Sequence, residues 1–266
     1  MISEQEFNQL NRILEQQTGI RLARHKCDIM ASRLANRLRV TGSESYAQYY
    51  RLILSEQGTA ELNKFIDKMT THETYFFREM SQFEFLCTYL KDKPPTRSPV
   101  RAWSAAASTG EEAYSIAMIL EDLFYNRSWH VYGTDISQTA ISMAQEACFA
   151  MSTVSKVPTK FKKAYCLKGF GIHEGSFSVA KQIKEGCTFN VDNLLALKTV
   201  DYSFDIIFLR NILIYFDEAK QLEILNNVVK RLNHAGLLFL GHSEALRYKR
   251  DDLEMLKPCI YKKIAP

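Results

Sequence analysis

The sequence predicts an α/β domain with a largely parallel sheet, preceded by a small all-α domain. Two observations carry this. Apolar residues recur at i, i+3 and i+4 spacing with no strand pattern from Glu4 to about Thr71, and from Val100 onward short apolar runs alternate with amphipathic helical stretches.

The helical part divides into four elements: FNQLNRILEQQ (Phe7–Gln17), CDIMASRLANRLRV (Cys27–Val40), SYAQYYRLILSE (Ser45–Glu56) and ELNKFIDKMT (Glu61–Thr70). Gly19, the stretch from Thr41 to Ser43, and Gly58 punctuate them. Residues 1–71 are therefore taken as one domain and residues 72–266 as a second. A further amphipathic helix follows in REMSQFEFLCTYLKD (Arg78–Asp92), and KPPTRSPV (Lys93–Val100) reads as a proline-bearing connector.

The second domain alternates strand and helix. VRAWSA pairs with EEAYSIAMILEDLF, WHVYGTDI with SQTAISMAQEACF, FDIIFLRNILIYF with EAKQLEILNNVVKRLN, and GLLFLG and CIYKKI complete the run. Between the second and third pairs, residues 168–191 hold glycines and short alternating runs (GFGIHEGSFSVAKQI, CTFNV) that predict a small antiparallel β insertion.

Composition excludes several classes. With 266 residues and 46% apolar content the chain can bury a sizeable core, so disordered and fibrous classes are set aside. The opening MISEQEFNQLNRI is amphipathic and lacks a secretory pattern, which makes a cytoplasmic location the expectation. IIFLRNILIYF is interrupted by Arg210 and Asn211, far short of the roughly 20 apolar residues of a membrane span, so no membrane insertion is expected. The six cysteines lie apart with no zinc-ligand spacing, which predicts reduced thiols and no metal site.

The loop after the first predicted strand is where an α/β sheet binds its ligand. Here it reads AAASTGEE (Ala105–Glu112), with one glycine where a dinucleotide fingerprint has three. Read alone it is equally a helix start, since Ser108 with Glu111 and Thr109 with Glu112 fit the S/T-x-x-E capping box. Two carboxylates at a helix N-terminus repel a pyrophosphate, so a dinucleotide is disfavoured. A cationic cofactor such as S-adenosylmethionine fits better. Its ribose needs an acidic partner at the end of the second strand, and Asp135 in YGTDIS stands there; Asp135 is equally placed to cap the helix that follows. The Arg210-Asn211 pair inside an apolar run is most simply placed at a strand end beside this loop.

THETYFFRE (Thr71–Glu79), WSAAASTGEEAYSIA (Trp103–Ala117), TDIS (Thr134–Ser137), FDIIFLRNILIYFD (Phe204–Asp217) and LLFLGHSE (Leu237–Glu244) together closely resemble the CheR family of chemotaxis receptor methyltransferases. The likeness covers nearly the whole chain. It implies a Rossmann-like S-adenosylmethionine-dependent methyltransferase domain behind the helical domain. The implied activity is methylation of glutamate side chains in cytoplasmic regions of chemoreceptors, giving γ-methyl esters and S-adenosylhomocysteine. The cofactor contacts it carries over are Thr74, Arg78, Glu112, Asp135, Asn193, Leu194, Arg210 and Asn211, with His72 where the family commonly has Asn. Ala113 stands where a proline often follows the two glutamates.

A glutamate side chain, with a reference pKa of about 4.3, is already ionised near neutral pH and needs no general base. Arg78 is the first candidate for orienting that carboxylate, because a guanidinium fork matches two oxygens. Tyr215, four residues past Asn211, is the second. Six basic residues against one acid lie between Arg21 and Arg39, and Arg33 and Arg37, four apart, predict a shared basic helix face for an acidic receptor bundle. No aromatic residues interleave them, so nucleic acid is not an expected partner. The GFGIHEGSFSV insertion resembles the β-subdomain of relatives that dock a short peptide at the receptor C-terminus. The expected state is a monomer.

Overall fold

The computed structural model describes residues 2–95, 99–124, 128–246 and 249–264. Helices α1 (Glu4–Thr18), α2 (Cys27–Thr41), α3 (Tyr46–Leu54) and α4 (Thr59–Met69) build the first domain. Ser3 and Glu6 form a reciprocal capping box at the start of α1, and Gly19, at φ +79°, ends it in a left-handed conformation that favours glycine. Phe7, Leu10, Leu14, Met30, Leu34, Tyr49 and Phe65 meet in its core. Ile136, Tyr215 and Phe216 of the second domain pack against the same core, so the two domains share a tight boundary.

Helix α5 (Met80–Asp92) leads toward the sheet, and residues 96–98 of the expected Lys93–Val100 connector lie outside the described residues. There follow β1 (Val100–Ser104), α6 (Glu111–Leu123), β2 (Trp129–Asp135), α7 (Gln138–Glu146), β3 (Cys148–Ala150), α8 (Thr159–Tyr165), β4 (Cys166–Lys168) and β5 (Ser176–Val179). Helix α9 (Lys181–Glu185), β6 (Cys187–Val191), β7 (Phe204–Leu209), α10 (Glu218–Lys230), β8 (Leu232–Leu240), β9 (Leu253–Lys257) and β10 (Ile260–Lys263) complete the chain. Among the described residues no helix is long and apolar enough to cross a membrane.

The main sheet has seven strands in the order β6-β2-β1-β7-β8-β10-β9; β10 runs antiparallel to β8 and β9, and the other pairs are parallel. Strand order reverses between β1 and β7. Their carboxyl ends therefore flank a topological switch point, the place where an open α/β sheet leaves a crevice for a ligand. Burial follows from the parallel pairing: β7 reads as a near-continuous apolar run because helices cover both faces.

The antiparallel insertion is displaced from its expected position. Its three strands, in the order β3-β5-β4, begin at Cys148 and end at Val179, not over residues 168–191. Cys187–Val191 is instead β6, which pairs parallel with β2 from Val131↔Cys187 to Asp135↔Val191. CTFNV alternates as an edge strand should, and alternation alone does not say which sheet a strand joins. The helix expected to run through Phe149 stops at Glu146, with Ala147 at φ +55° turning the chain into β3.

Candidate cofactor site at the domain boundary

A cavity of about 970 Å³, counting its open mouth, lies between the two domains at the carboxyl end of the sheet. From the sheet side Ala105, Ala106, Asp135, Ile136, Asn193, Leu194, Ile212 and Tyr215 line it. From the helical domain and the connecting segment come Ile20, Lys26, Arg33, Met69 and His72.

Strand pairing positions the acidic partner. Asp135 ends β2, and its two carboxylate oxygens accept the N–H groups of Ser108 (2.9 Å) and Ser137 (3.0 Å). It does not cap α7; Ser137 does, accepting from the N–H of Ala140 at 3.0 Å. Burial pushes the Asp135 carboxyl above its ordinary range, against the opposing N–H bonds and the nearby His72. His72 itself meets the Thr70 hydroxyl at 2.8 Å. The Asn193 side chain donates to the carbonyl of Gln17 at 3.0 Å and accepts from the N–H of Leu195 at 2.9 Å. It thus ties the loop after β6 to the end of α1. Asp192 holds the same loop from inside, accepting the N–H groups of Asn193, Lys198 and Thr199.

A second cluster adjoins the cavity at the ends of β1 and β7. Arg210 and Asn211 directly follow β7, at the strand end expected for them. The Arg210 guanidinium donates to Glu112 (2.8 Å), Gln82 (3.0 Å), Glu79 (3.3 Å) and the carbonyl of Arg78 (2.8 Å). Phe83 and Phe208 rings lie 5.3 and 5.4 Å from it, so the buried charge is met by carboxylates, other acceptors and two aromatic faces. Glu112 also accepts from the Ser104 hydroxyl at 2.6 Å, and Asn211 donates through its side chain to Glu79 at 3.2 Å and through its backbone to Glu244 at 2.6 Å. Thr74 and Arg78 sit half-buried on the segment between cavity and cluster. Arg78 donates to the carbonyl of Glu73, lies 5.8 Å from the Tyr75 ring, and pairs with no carboxylate among the described residues.

The α6 capping boxes do not form. Gly110, at φ +100°, is the N-cap, and Thr109 donates instead to Glu111 at 2.6 Å. The backbone departs from the box: Ser108 is left-handed at φ +48°, and no side chain caps the helix start. The buried Ser108 hydroxyl has no hydrogen-bond partner among the described residues.

The basic face expected from Arg33 and Arg37 does not form either. Arg37 is a half-buried partner of buried Glu61, giving it two hydrogen bonds at 2.8 and 2.5 Å, and the Tyr49 hydroxyl donates to the same carboxylate at 2.9 Å. Arg33 donates to the carbonyls of Met69 (3.0 Å) and Thr70 (3.3 Å), closing the end of α4 where the helix dipole is negative. Four spacing on a helix aligned the two side chains, but toward α4.

The residues fit an S-adenosyl cofactor. Asp135 can accept ribose hydroxyls, Glu79 and Glu112 carry more negative charge than Arg210 cancels, and the Ser108 hydroxyl on the intervening loop lacks a partner. Sequence reading named Glu112 and Arg210 and missed Glu79, Gln82, Ser104, Asp192 and Glu244. Glu79 and Glu244 lie within the quoted THETYFFRE and LLFLGHSE segments, which was the available signal.

Comparison with known proteins agrees with this architecture. Residues 5–70 match the CheR methyltransferase all-alpha domain, and residues 72–261 match the CheR methyltransferase SAM binding domain. The chain is 38% identical over 246 residues to a chemotaxis protein methyltransferase of Escherichia coli (strain K12), covering 91% of this chain and 85% of that one. It is 32% identical over 273 residues to a chemotaxis protein methyltransferase of Borreliella burgdorferi, covering 98% and 95%. With both matched domains in order and relatives of this similarity along nearly its full length, the chain belongs to the CheR methyltransferase family.

Proposed function

We propose that this chain transfers a methyl group from S-adenosylmethionine to the side-chain carboxylate of glutamates in the cytoplasmic part of chemoreceptors, forming γ-methyl esters. The observation that carries the reading is the excess of carboxylate over guanidinium around Arg210, beside a cavity floored by Asp135. Bound there, the cofactor supplies a methyl group made electrophilic by its sulfonium. In this reading Asp135 holds the ribose hydroxyls, Asn193 and Leu194 flank the adenine, and Glu112 with Glu79 offsets the positive charge. Arg210 keeps those carboxylates apart and oriented through its fixed fork.

The substrate side falls to Arg78 and Tyr215. Arg78 meets no carboxylate among the described residues and spends one nitrogen on the Glu73 carbonyl, which leaves the rest of its guanidinium to grip a substrate glutamate. Tyr215 lines the cavity wall and bears on the core of the helical domain, so its ring closes the reacting region from water. An ionised carboxylate attacks without a base, so alignment supplies most of what the protein must provide.

The small sheet supports receptor docking. Its edge strands are β3 and β4, and Phe170 and Ile172 stand exposed beyond β4. A receptor peptide would add a strand at such an edge and raise the local concentration of substrate. We take the chain to act as a monomer in the cytoplasm. The test mixes the protein with methyl-labelled S-adenosylmethionine and chemoreceptor-bearing membranes, then counts volatile label released by alkali from the receptor band. Alkali-labile counts are expected; stable counts alone would place the methyl on nitrogen or carbon and overturn the ester chemistry.

A further inference from the structure

Asp67 occupies a place that its own helix disfavours. It lies in the last turn of α4, where the dipole is negative and a carboxylate is repelled. It accepts a hydrogen bond from the Ser137 hydroxyl at 2.6 Å and another from the Thr139 hydroxyl, both at the N-terminus of α7 in the other domain. A negative charge is favoured there. Asp67 is half-buried and Ser137 fully buried, so the bond between them is partly shielded from solvent, while the one to Thr139 is exposed.

Ser137 does three things at once. Its hydroxyl donates to Asp67, the same oxygen accepts from the N–H of Ala140, and its own N–H donates to the Asp135 carboxylate at 3.0 Å. Ile136, between the two, lines the cavity and packs on the helical-domain core. A shift of α4 is therefore passed to the N–H group that holds one oxygen of Asp135. The other oxygen is held from the opposite side by Ser108.

We propose that Asp67 is a positioning residue: acting through Ser137, it lets the helical domain fix the Asp135 carboxylate and so set affinity for the adenosyl cofactor. The proposal rests on the reading of Asp135 as the ribose partner. It predicts an effect on cofactor binding and little on the methyl transfer step, because no hydrogen bond or ion pair links Asp67 to Arg78 or Tyr215 among the described residues.

The test uses the full chain and calorimetric binding of S-adenosylhomocysteine, with initial rates measured alongside. Asp67→Ala should weaken binding by about five- to tenfold and raise KM for S-adenosylmethionine in step, with kcat kept within about twofold. Asp67→Asn, which retains an acceptor for Ser137, should restore most of the affinity. Ser137→Ala should reproduce the loss, and the double variant should lose no more than either alone. Thr139→Val removes the contact that does not lead to Asp135 and should bind normally. Normal binding by Asp67→Ala, with Asp135→Ala weakened, overturns the relay and leaves the ribose assignment standing; normal binding by Asp135→Ala overturns both. If Asp67→Ala fails to fold, Ser137→Ala and Asp67→Asn decide the question by the same readout.

Discussion

Arg210 donates through Nε to Glu112 at 2.8 Å, with side chains only 1% and 11% exposed. This pair joins the end of β7 to the start of α6 across the switch point, and Ser104 at the end of β1 completes it. The Glu112 carboxylate thus ties the ends of β1 and β7 to the start of α6, one oxygen to Ser104 and the other to Arg210. Lysine offers a point charge and cannot serve Glu112, Gln82 and the Arg78 carbonyl together. Arg210→Lys should lower unfolding stability by about 3 kcal/mol, since it leaves buried partners unserved. Urea titration measures the loss, and cofactor binding should fall with it.

Arg78 is expected to separate binding from chemistry. Arg78→Ala should reduce methyl transfer by about a hundredfold or more while cofactor affinity changes only a few-fold, because its guanidinium carries none of the buried network around Arg210. Steady-state rates with receptor membranes, set against calorimetric affinity, test the split. Near-normal turnover would remove Arg78 from the reaction.

The Asp135 carboxyl makes a prediction of sign. Burial raises it above its ordinary value of 3.8, so between that value and the raised one the folded chain binds a proton that the unfolded chain has released. Stability attributable to this group falls as pH rises through that window. Cofactor affinity should move the opposite way, since the ionised form accepts the ribose hydroxyls better, and Asp135→Asn should abolish this pH dependence. Affinity and unfolding stability followed upward from pH 3.8, in wild type and variant, check the two directions separately.

Arg37 should report on stability rather than on receptor recognition. Burial tends to raise the Glu61 carboxyl, but hydrogen bonds from Arg37 and Tyr49 outweigh it and hold the group below its ordinary 4.5. The contribution is present above the unfolded value and is lost as pH falls through the folded one. Arg37→Ala should cost about 3 kcal/mol and leave methylation of receptor membranes unchanged below its melting temperature. A selective loss of receptor methylation with normal stability would reinstate the basic face.

Much of this fold is legible in the amino-acid sequence. The four helices of the first domain follow their apolar periodicity, and the strand-end position of Arg210 and Asn211 follows from the cost of burying a charge. What could not be read was partnership at long range. Arg33 and Arg37 satisfy the spacing rule for a surface face, yet the acidic residue that claims Arg37, Glu61, lies on another helix. CTFNV carries a strand signal with no mark of which sheet receives it, and parallel register is set by residues more than fifty positions away. Ser108 and Glu111 matched a capping box because the motif is defined by residue type; the left-handed backbone at Ser108 and Gly110 defeats it.

Gly19 ends α1 against the second domain. Its missing side chain leaves room for Leu195, whose Cδ1 would lie 2.2 Å from an added Cβ, and its carbonyl accepts from Lys220 at 3.0 Å while Lys220 also holds Glu15 at 2.7 Å. Together with Asn193 on the Gln17 carbonyl, these contacts make the last turn of α1 a plug whose socket is cut by Leu195, Asn193 and Lys220. The two halves of this protein are consequently not interchangeable parts. Anyone grafting the helical half of a relative onto this second half would have to transplant the socket along with the plug, or accept a chimera in which the loop after β6 has lost its tie to α1.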